Sequence, residues 1–417
     1  MNYQLTAPPA LHATVALPAS KSISNRALII AALAGQPIES LKNLSNCDDT
    51  RVTIEALTQR PEVMDIGAAG SAMRFLTAYV AATPGACHTL TGTQRMQRRP
   101  IGILVDALRQ LGANISYLGE EGYPPLRIEG RTLSGGTVEL PATVSSQYIS
   151  ALLLIGPTLQ QGLTLRLKGS IISRPYIDLT LCLMRDFGAD ADWADVETIS
   201  VKPKPYVHRN FVVENDWSAA SYWYEMMALA QGEAEVTLTG LMDGSRQGDS
   251  SVRYIFSLLG VKTTFGTTQQ GVATTVTLRR TATHVPRLDY DFSGQPDLAQ
   301  TFVVCCCMMG VPFRFKGLST LRIKETDRIV ALQQELAKLG FNIEARGDSE
   351  LLWDGTDQPD TTGQPVAIDT YSDHRMALSF APAALRLPHL LINDPEVVTK
   401  SYPLFWDHLR QAGFQID

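Results

Sequence analysis

Lysine, arginine and hydroxyl side chains stand at the start of an apolar helix in the stretch LPASKSISNRALIIAALA. Lys21 and Arg26 lie where the partial positive charge of the helix dipole disfavours cations. A bound phosphate or carboxylate would remove this conflict, because helix-start amides, hydroxyls and cations together bind anions. The alternative is a solvated helix that Ser22 or Ser24 caps and Gly35 ends. The stretch therefore indicates either an anion site or a plainly capped helix.

Further polar clusters lie where loops meet predicted helices. Asp297, in SGQPDLAQT, stands at a helix start, where a carboxylate usually caps the helix. Asp327 in RIKETDR and Asp373 in YSDHRMA are interpreted in the same way, each orienting a neighbouring arginine. GAAGSAMRF is a short turn before a helix, in which Gly70 has no Cβ and allows a ligand to approach the backbone. Other clusters are VSSQYIS, ISRPY and VVTKSYP.

Several familiar catalytic motifs are missing from the sequence. It contains no G-x-x-x-x-G-K-[ST] phosphate loop and no glycine-rich dinucleotide fingerprint between a strand and a helix. H-E-x-x-H and G-x-S-x-G are also absent, and the seven histidines are scattered. The sequence thus predicts neither a catalytic metal nor an esterase.

Length and composition exclude some classes of protein. A chain of 417 residues is too long for one core, so two or three domains are expected. The net charge of −6 argues against a nucleic-acid binder, whose surface would be basic. The six cysteines show no C-x-x-C spacing, and the three adjacent ones at 305–307 are interpreted as small buried residues. With no signal peptide and no apolar run of ~20 residues, a cytoplasmic protein is expected.

A repeated pattern predicts the architecture. Five times an alternating strand ends at a glycine or asparagine, and the next helix ends at a glycine 19 to 23 residues later. The strand ends are Gly92, Gly169, Gly240, Gly317 and Asn393, and the helix ends are Gly112, Gly188, Gly260, Gly340 and Gly413. A weaker copy is IESLKNLSNCDDTRVTIEALTQ. Six related β-α units, divided three and three near residues 202–216, are therefore expected.

Seven features occur in order along nearly the whole chain: LPASKSISNRAL, AGSAMRF, RRPIG, SSQY, KETDR, DHRMA and a late isolated lysine, Lys400. Together they closely resemble the 5-enolpyruvylshikimate-3-phosphate synthase family. The resemblance implies an α/β fold, a two-domain inside-out α/β barrel with six βαβαββ-type units, three per domain, hinged around the active site. We place the first domain at 19–213, the second at 1–18 and 214–417, and the hinge crossings near 18–20 and 202–216.

The resemblance also implies an activity. Members of the family transfer the enolpyruvyl group of phosphoenolpyruvate to the 5-hydroxyl of shikimate 3-phosphate and release phosphate, on the way to chorismate and the aromatic amino acids. The reaction proceeds by addition and elimination through a tetrahedral intermediate and needs no cofactor or metal. We expect a cytoplasmic monomer whose partners are the two substrates, without nucleic acid or membrane. Gly70 predicts inhibition by glyphosate, which occupies the phosphoenolpyruvate site in the family.

Site residues follow from the resemblance as well. Those that match the shikimate 3-phosphate site are Lys21, Ser22, Arg26, Ser145, Ser146, Gln147, Ser173, Tyr176, Asp297 and Lys324. Those that match the phosphoenolpyruvate site are Lys21, Gly70, Arg99, Gln147, Arg328, Arg375 and Lys400. Two phosphates and two carboxylates in one site require several converging cations, because they repel one another.

Three residues match the family's catalytic groups. Asp297 matches the base that takes the proton of the 5-hydroxyl, and Glu325 and Lys21 match the groups that protonate the methylene carbon. Lys324 and Arg328 flank Glu325 and favour its charged form, whereas a donor must be protonated. We therefore rank Asp297 and Lys21 above Glu325.

The chain departs from the family at three positions, and two alternative functions are weighed. Ala68 and Phe75 stand where many relatives have Asn and Pro, and Thr320 stands where relatives often have Asn. One alternative is an enolpyruvyl transferase acting on UDP-N-acetylglucosamine, which usually carries a reactive cysteine where this chain has GTQRMQRRPIG. The other is a non-catalytic phosphate-binding protein of the same fold, against which the retention of Lys21 and Asp297 argues.

Overall fold

The chain folds into two compact units. The computed structural model describes residues 1–267, 269, 271–357 and 365–417. The inserted unit is Ala19–Val213, and the terminal unit joins Met1–Pro18 with Glu214–Asp417. Each unit has its own hydrophobic core, built only from residues of that unit. No helix among the described residues is long and apolar enough to cross a membrane.

Helices and strands alternate along both units. The α-helices are α1 (Lys21–Ala34), α2 (Asp48–Gln59), α3 (Gly70–Ala81), α4 (Gln94–Gln97), α5 (Gly102–Gln110), α6 (Ser146–Ile155), α7 (Arg174–Asp186), α8 (Trp217–Leu229), α9 (Val252–Leu258), α10 (Ala299–Met309), α11 (Arg328–Lys338), α12 (His374–Phe380) and α13 (Phe405–Gln411). Short 3-10 helices span Ile38–Ser40, Gly156–Thr158, Gly248–Ser251, Pro296–Leu298, Ser319–Ile323, Ala381–Leu385 and Pro395–Lys400.

The strands are numbered in chain order through both units, and β3 to β12 belong to the inserted unit. They are β1 (Asn2–Thr6), β2 (Leu11–Ala16), β3 (Leu41–Lys42), β4 (Val63–Asp65), β5 (Cys87–Thr91), β6 (Asn114–Tyr117), β7 (Leu126–Glu129), β8 (Gly136–Pro141), β9 (Leu163–Lys168), β10 (Ala191–Trp193), β11 (Thr198–Val201), β12 (Phe211–Val212), β13 (Ala234–Met242), β14 (Val261–Phe265), β15 (Ala273–Arg280), β16 (Leu288–Asp291), β17 (Phe313–Lys316), β18 (Glu344–Arg346), β19 (Glu350–Trp353), β20 (Val366–Ile368), β21 (Leu390–Asn393) and β22 (Gln415–Ile416).

Five of the sheets formed by the described residues repeat one arrangement of four strands. A parallel pair is followed by two antiparallel neighbours, as in β4-β5-β7-β6, where β4 and β5 are parallel. The other four are β8-β9-β11-β10, β2-β13-β15-β14, β16-β17-β19-β18 and β20-β21-β1-β22. With the helices between their strands these are βαβαββ units, which confirms the predicted fold class.

The sixth sheet explains why one copy of the repeat is weak in the sequence. It consists of the parallel pair β3 and β12 alone, with α1 and α2 on either side of β3 in the chain. Within the described part of the chain this unit has the parallel pair but not the antiparallel hairpin. The alternating strand patterns of the other copies therefore have no counterpart here.

The backbone conformation at the ends of the repeated helices explains why glycine occurs there. Gly112, Gly188, Gly260, Gly340 and Gly413 all have φ between 83° and 101°. Residues with a Cβ rarely adopt this left-handed region, so glycine is the usual residue after a helix. The regular spacing seen in the sequence thus records the ends of equivalent helices.

Helices rather than strands form the centre of each unit. In the inserted unit α1, α3 and α6 contact one another, and in the terminal unit α10 contacts α8 and α12. Helix α8 buries every residue except Ser218, so it is enclosed on all sides by the core of the terminal unit. Cys305, Cys306 and Cys307 are buried, unbonded residues of α10, which confirms their interpretation as small core side chains.

Candidate active site

Helix α1 carries the first cluster of predicted site residues. It begins at Lys21 and is capped by Ser20, whose Oγ accepts from the backbone N of Ile23 at 3.4 Å. The predicted caps, Ser22 and Ser24, were therefore wrong, because the helix begins before them. Ser22 instead lies half-buried in the first turn, next to Lys21. The Lys21 side chain is 19% exposed, and its Nζ is 3.3 Å from Oδ2 of Asp49.

Arg26 lies one turn further along α1, and its guanidinium is buried. Its Nε donates to Oγ1 of Thr180 at 2.7 Å, Nη1 to the carbonyl of Ser22 at 2.9 Å, and Nη2 to Oγ of Ser150 at 3.1 Å. The ring of Phe75 lies 5.4 Å from the guanidinium carbon. Burial lowers the pKa of Arg26 to about 10, and no described carboxylate forms an ion pair with it. Neutral acceptors and an aromatic face thus hold a buried positive charge.

Gly70 and Arg99 lie against each other at the start of α3. A Cβ built on Gly70 would lie 2.8 Å from Nη1 of Arg99. Arg74 connects the two segments, because its Nη1 donates to the Gly70 carbonyl at 3.2 Å and its Nη2 to the Pro100 carbonyl at 3.1 Å. The Tyr148 hydroxyl donates to the same Pro100 carbonyl. Two predicted phosphoenolpyruvate-site residues are therefore in direct contact.

The remaining predicted residues of the inserted unit lie at the starts of α6 and α7. Ser145 caps α6 by accepting from the backbone N of Gln147 at 3.4 Å, and Ser145, Ser146 and Gln147 are all half-buried. Ser173 precedes α7 in a left-handed conformation, with φ of 57°, and is buried. Tyr176 lies in the first turn of α7, and its carbonyl is 3.4 Å from Nη2 of Arg26.

Asp297 is the centre of the cluster in the terminal unit. It lies in the 3-10 turn directly before α10, with its side chain 23% exposed. Its Oδ1 is 3.1 Å from Nζ of Lys324 and 3.0 Å from Nη1 of Arg328, and its Oδ2 is 3.4 Å from Nη2 of Arg375. Burial alone would raise the pKa of Asp297, but these three cations hold it well below its usual range. The residue is therefore a carboxylate at neutral pH, the form that a base requires.

Glu325 pairs with two further cations of the same cluster. Its Oε2 is 3.1 Å from Nη2 of Arg328, and its Oε1 is 2.5 Å from Nζ of Lys400. The side chain is 14% exposed. Two cations around one carboxylate favour its ionised form. The contacts therefore act in the direction that the sequence indicated, against Glu325 as a ready proton donor.

Arg328 connects the carboxylates of this cluster. It is 2% exposed, and its Nε lies 2.6 Å from Oδ2 of the fully buried Asp373. Burial opposes its charge, but Asp373, Glu325 and Asp297 outweigh that effect and raise the pKa of Arg328. Asp373 also caps α12, accepting from the backbone N of Arg375 at 2.9 Å. The aspartate caps a helix as predicted, but the arginine that it orients is Arg328 of α11 and not its sequence neighbour Arg375.

The cluster holds more positive than negative charge. Lys324, Arg328, Arg375 and Lys400 face Asp297, Glu325 and Asp373, an excess of one cation. Burial lowers the pKa of Lys324 and Arg328 adds to this, whereas Asp297 and Glu325 oppose it. Such a site is suited to an anion. In the described part of the chain, no group of three or more His, Cys, Asp or Glu side chains could hold a metal ion.

Asp49 is the polar residue near Lys21 that the sequence reasoning missed. It is buried on α2 together with Thr53, Ala56 and Leu57, whereas its neighbour Asp48 is 44% exposed. The available signal was helical spacing, because Asp49 lies on the buried face of an amphipathic helix. A carboxylate on that face needs a partner, and Lys21 supplies it.

Known proteins match this chain along nearly its whole length. The sequence model of a family described as EPSP synthase (3-phosphoshikimate 1-carboxyvinyltransferase) matches residues 5–60 and 56–409. A 3-phosphoshikimate 1-carboxyvinyltransferase of Bacteroides fragilis (strain ATCC 25285) is 58% identical over 417 residues, covering 100% of this chain and 99% of the relative. One of Photobacterium profundum is 36% identical, covering 97% of each chain.

Solved structures share the fold at lower identity. EPSP synthase from Acinetobacter baumannii superposes with a TM-score of 0.77 at 22% identity, covering 100% of this chain and 99% of that one. The enolpyruvyl transferase NikO from Streptomyces tendae gives a TM-score of 0.72 at 17% identity, covering 100% and 98%. At these identities the likeness establishes the fold alone. The family match and the curated relatives, by contrast, span nearly the whole sequence, and the chain belongs to the EPSP synthase family.

Proposed function

We propose that this chain transfers the enolpyruvyl group of phosphoenolpyruvate to the 5-hydroxyl of shikimate 3-phosphate and releases phosphate, as a transferase of aromatic amino-acid biosynthesis. The observation that carries the proposal is the geometry of Asp297, an ionised carboxylate within 3.4 Å of three cations. A base surrounded by anion-binding groups suits a reaction that deprotonates a hydroxyl beside a phosphate ester. We propose further that the inserted and terminal units are the two domains of the family.

Shikimate 3-phosphate, in this proposal, is bound mainly by the inserted unit. The helix starts of α1, α6 and α7 present hydroxyls and amides together with Lys21, which is the pattern of an anion site. The contributing residues are Lys21, Ser22, Arg26, Ser145, Ser146, Gln147, Ser173, Tyr176, Asp297 and Lys324. Charge-assisted hydrogen bonds to them contribute about 1.5–3 kcal/mol each.

Phosphoenolpyruvate, in turn, is assigned to Lys21, Gly70, Arg99, Gln147, Arg328, Arg375 and Lys400. The contact between Gly70 and Arg99 supports this assignment, because a residue without Cβ leaves room for the guanidinium itself at the start of α3. Arginine presents two parallel N–H groups, which match a carboxylate or phosphate. The excess positive charge around Asp297 would offset the repulsion between the two anionic substrates.

The proposed chemistry has two steps. Asp297 takes the proton of the 5-hydroxyl while the oxygen attacks C2 of phosphoenolpyruvate, and a donor gives a proton to the methylene carbon. The resulting tetrahedral intermediate carries the phosphate, which leaves as the methyl group returns a proton. Nearby cations stabilise the negative charge of the intermediate. Lys21 ranks above Glu325 as donor, since Arg328 and Lys400 favour the ionised form of Glu325.

One assay separates this proposal from its alternatives. Phosphate release is measured with both substrates and with each omitted in turn, and UDP-N-acetylglucosamine replaces shikimate 3-phosphate in a parallel reaction. Release only with phosphoenolpyruvate plus shikimate 3-phosphate is the expected result. Release with the sugar nucleotide would assign the other transferase activity, and binding without release would indicate a non-catalytic protein. The names of the relatives favour neither alternative.

The proposal includes a cytoplasmic monomer that glyphosate inhibits. Each unit has a complete core of its own, so neither requires a second copy of the chain to bury apolar surface. Light scattering on the purified protein measures the oligomeric state directly. A mass near the 45.6 kDa of one chain is expected, and a mass of twice that value would replace the monomer by a dimer.

A further inference from the structure

Two consecutive residues without glycine's freedom adopt left-handed backbone conformations just before α12. Tyr371 has φ of 54° and Ser372 has φ of 55°. They are the one consecutive pair of such non-glycine residues in the described part of the chain. Side chains with a Cβ are strained in this region, so the surrounding structure must hold them there.

Glu335 of α11 holds this turn. The Tyr371 hydroxyl lies 2.5 Å from Oε1 of Glu335 and 2.9 Å from Oε1 of Gln334. Burial raises the pKa of Tyr371 and Glu335 adds to this, so the hydroxyl keeps the proton that it donates. Oε2 of Glu335 accepts from the backbone N of Asp369 at 2.9 Å and from Lys338 at 2.6 Å. One fully buried carboxylate thus holds two points of segment 369–371.

The residue that follows the turn belongs to the candidate active site. The backbone N of Asp373 donates to the carbonyl of Thr370 at 2.8 Å, which closes the turn. Its carboxylate then contacts Arg328 at 2.6 and 3.2 Å and caps the helix that carries Arg375. Arg375 in turn donates to the carbonyl of Asp297 at 3.0 Å. The position of the turn therefore sets two of the three cations around Asp297.

Helix α11 contacts the turn region at both of its ends. Arg328 at its first position binds Asp373, and Glu335, seven residues later, binds Tyr371. Residues seven apart lie on the same face of a helix, two turns from each other. Glu335 and Lys338 of the same helix also hold Asp369, so Tyr371 is the side chain that connects the strained residues themselves to α11.

We propose that Tyr371 and Glu335 are positioning residues, which hold the left-handed turn so that Asp373 keeps Arg328 and Arg375 aligned on Asp297. This inference rests on the proposed function for its kinetic consequences but on the contacts of the terminal unit for its geometry. Neither residue touches the substrates in this account. They act by fixing the position of Asp373, which in turn contacts Arg328 and caps the helix that carries Arg375.

Tyr371→Phe is the first variant to test, because it removes the hydroxyl and keeps the ring. Loss of alignment should lower kcat/KM for phosphoenolpyruvate by about ten- to a hundredfold. The groups that face Asp297 are Lys324, Arg328 and Arg375, with Glu325 beyond Arg328 and Tyr222 beyond Arg375. Weaker contact with the two arginines should raise the pKa of Asp297, because these cations hold it low. The acidic limb of the pH profile of kcat/KM should therefore move to higher pH.

A rescue variant and a control separate positioning from simple loss of stability. Adding Ser372→Gly to Tyr371→Phe should restore most of the lost kcat/KM, since glycine adopts the left-handed conformation without strain. Tyr224→Phe is the control: it removes a buried hydroxyl bonded to Thr263 at 2.9 Å in the same unit, away from the turn. It should lower the melting temperature and leave the pH profile unchanged.

A measurement without substrates keeps this inference apart from the proposed function. The carboxyl pKa of Asp297 is followed by carbon NMR on protein labelled at aspartate, with Asp297→Asn to assign the signal. A higher pKa in Tyr371→Phe than in the parent is expected. An unchanged Asp297 pKa, or a lowered kcat/KM without a shifted pH profile and without rescue by Ser372→Gly, would overturn the inference. A parent that releases no phosphate refutes the proposed function, while the NMR result still decides the inference.

Discussion

The guanidinium of Arg99 lies directly against the Cα of Gly70, so that a side-chain carbon at position 70 would come within 2.8 Å of Nη1. Real Cβ atoms do not make contacts this short, and a flexible arginine would move in response. Arg74 holds both segments through the carbonyls of Gly70 and Pro100, which leaves the guanidinium of Arg99 as the part that can yield. The absence of a side chain at position 70 therefore allows the Arg99 guanidinium to lie where it does.

Gly70→Ala should weaken the binding of both phosphoenolpyruvate and glyphosate. The added methyl displaces the Arg99 guanidinium, so the KM for phosphoenolpyruvate should rise several-fold and glyphosate inhibition should weaken more than tenfold. Inhibition of the parent and the variant is compared at several phosphoenolpyruvate concentrations. Gly119→Ala is the control, since a methyl there meets only Pro125 at 3.9 Å. If the parent already resists glyphosate as well as the variant does, Gly70 does not decide sensitivity, and Ala68 in the same turn is examined next.

Phe75→Leu should weaken shikimate 3-phosphate binding as well as stability. The ring supplies an aromatic face to the buried Arg26, which has neutral acceptors but no described carboxylate partner. Loss of the ring should cost about 1–3 kcal/mol of unfolding free energy and raise the Kd for shikimate 3-phosphate. Calorimetry measures both quantities.

Phe187→Leu is the matched control for that experiment. Phe187 is fully buried in the same unit and packs against Phe211 with ring centroids 5.5 Å apart. The Phe187→Leu variant should lose stability to a similar extent as Phe75→Leu and should bind shikimate 3-phosphate as the parent does. Equal loss of binding in both variants would show that Phe75 acts only through packing.

Glu225 should make the terminal unit less stable as the pH rises. It is fully buried on α8, neither carboxylate oxygen has a hydrogen-bond partner among the described residues, and burial raises its pKa well above the ordinary value. Below about pH 4.3 the folded and unfolded chains both hold the proton, and the contribution of Glu225 to stability is fully present. Above that pH the unfolded chain loses its proton first, so the unfolding free energy falls until the folded pKa is reached.

Glu225→Gln removes this titration and provides the test. Urea unfolding of the parent and the variant is measured from pH 5 to pH 8. The difference in unfolding free energy should move in favour of the variant with rising pH, by at most about 1.4 kcal/mol per pH unit. A difference that stays constant across this range would show that Glu225 is not protonated in the folded chain.

The fold could be predicted from residues that recur at equivalent positions of the units. Glycines such as Gly112 and Gly188 end equivalent helices because the left-handed conformation requires them, so their spacing reveals the units before any pairing is known. Strand pairing itself is non-local, and nothing in the sequence of β3 and β12 shows that this sheet stops at two strands. The weak sequence repeat at residues 38–59 was the only sign that this unit differs from the others.

The candidate site could be predicted as a set of residues but not as a set of contacts. Charged motifs such as KETDR and DHRMA carry a recognisable pattern. In contrast, the partners of Arg26 are Thr180 and Ser150, ordinary helix residues more than 120 positions away that no local pattern marks. The same holds for Tyr371, whose role depends on a backbone angle and on a carboxylate from another helix.

Asp297→Asn tests the central claim most directly. The amide keeps the size of the side chain but cannot accept a proton, so single-turnover phosphate release should fall by ~10²–10⁴-fold while shikimate 3-phosphate still binds. Asp327→Asn is the control, since Asp327 caps α11 and pairs with Arg322 at 3.0 Å without contacting Asp297. Its turnover should stay within a few-fold of the parent. Phosphate release by Asp297→Asn within a few-fold of the parent would contradict the account, because the base would then have to be another residue.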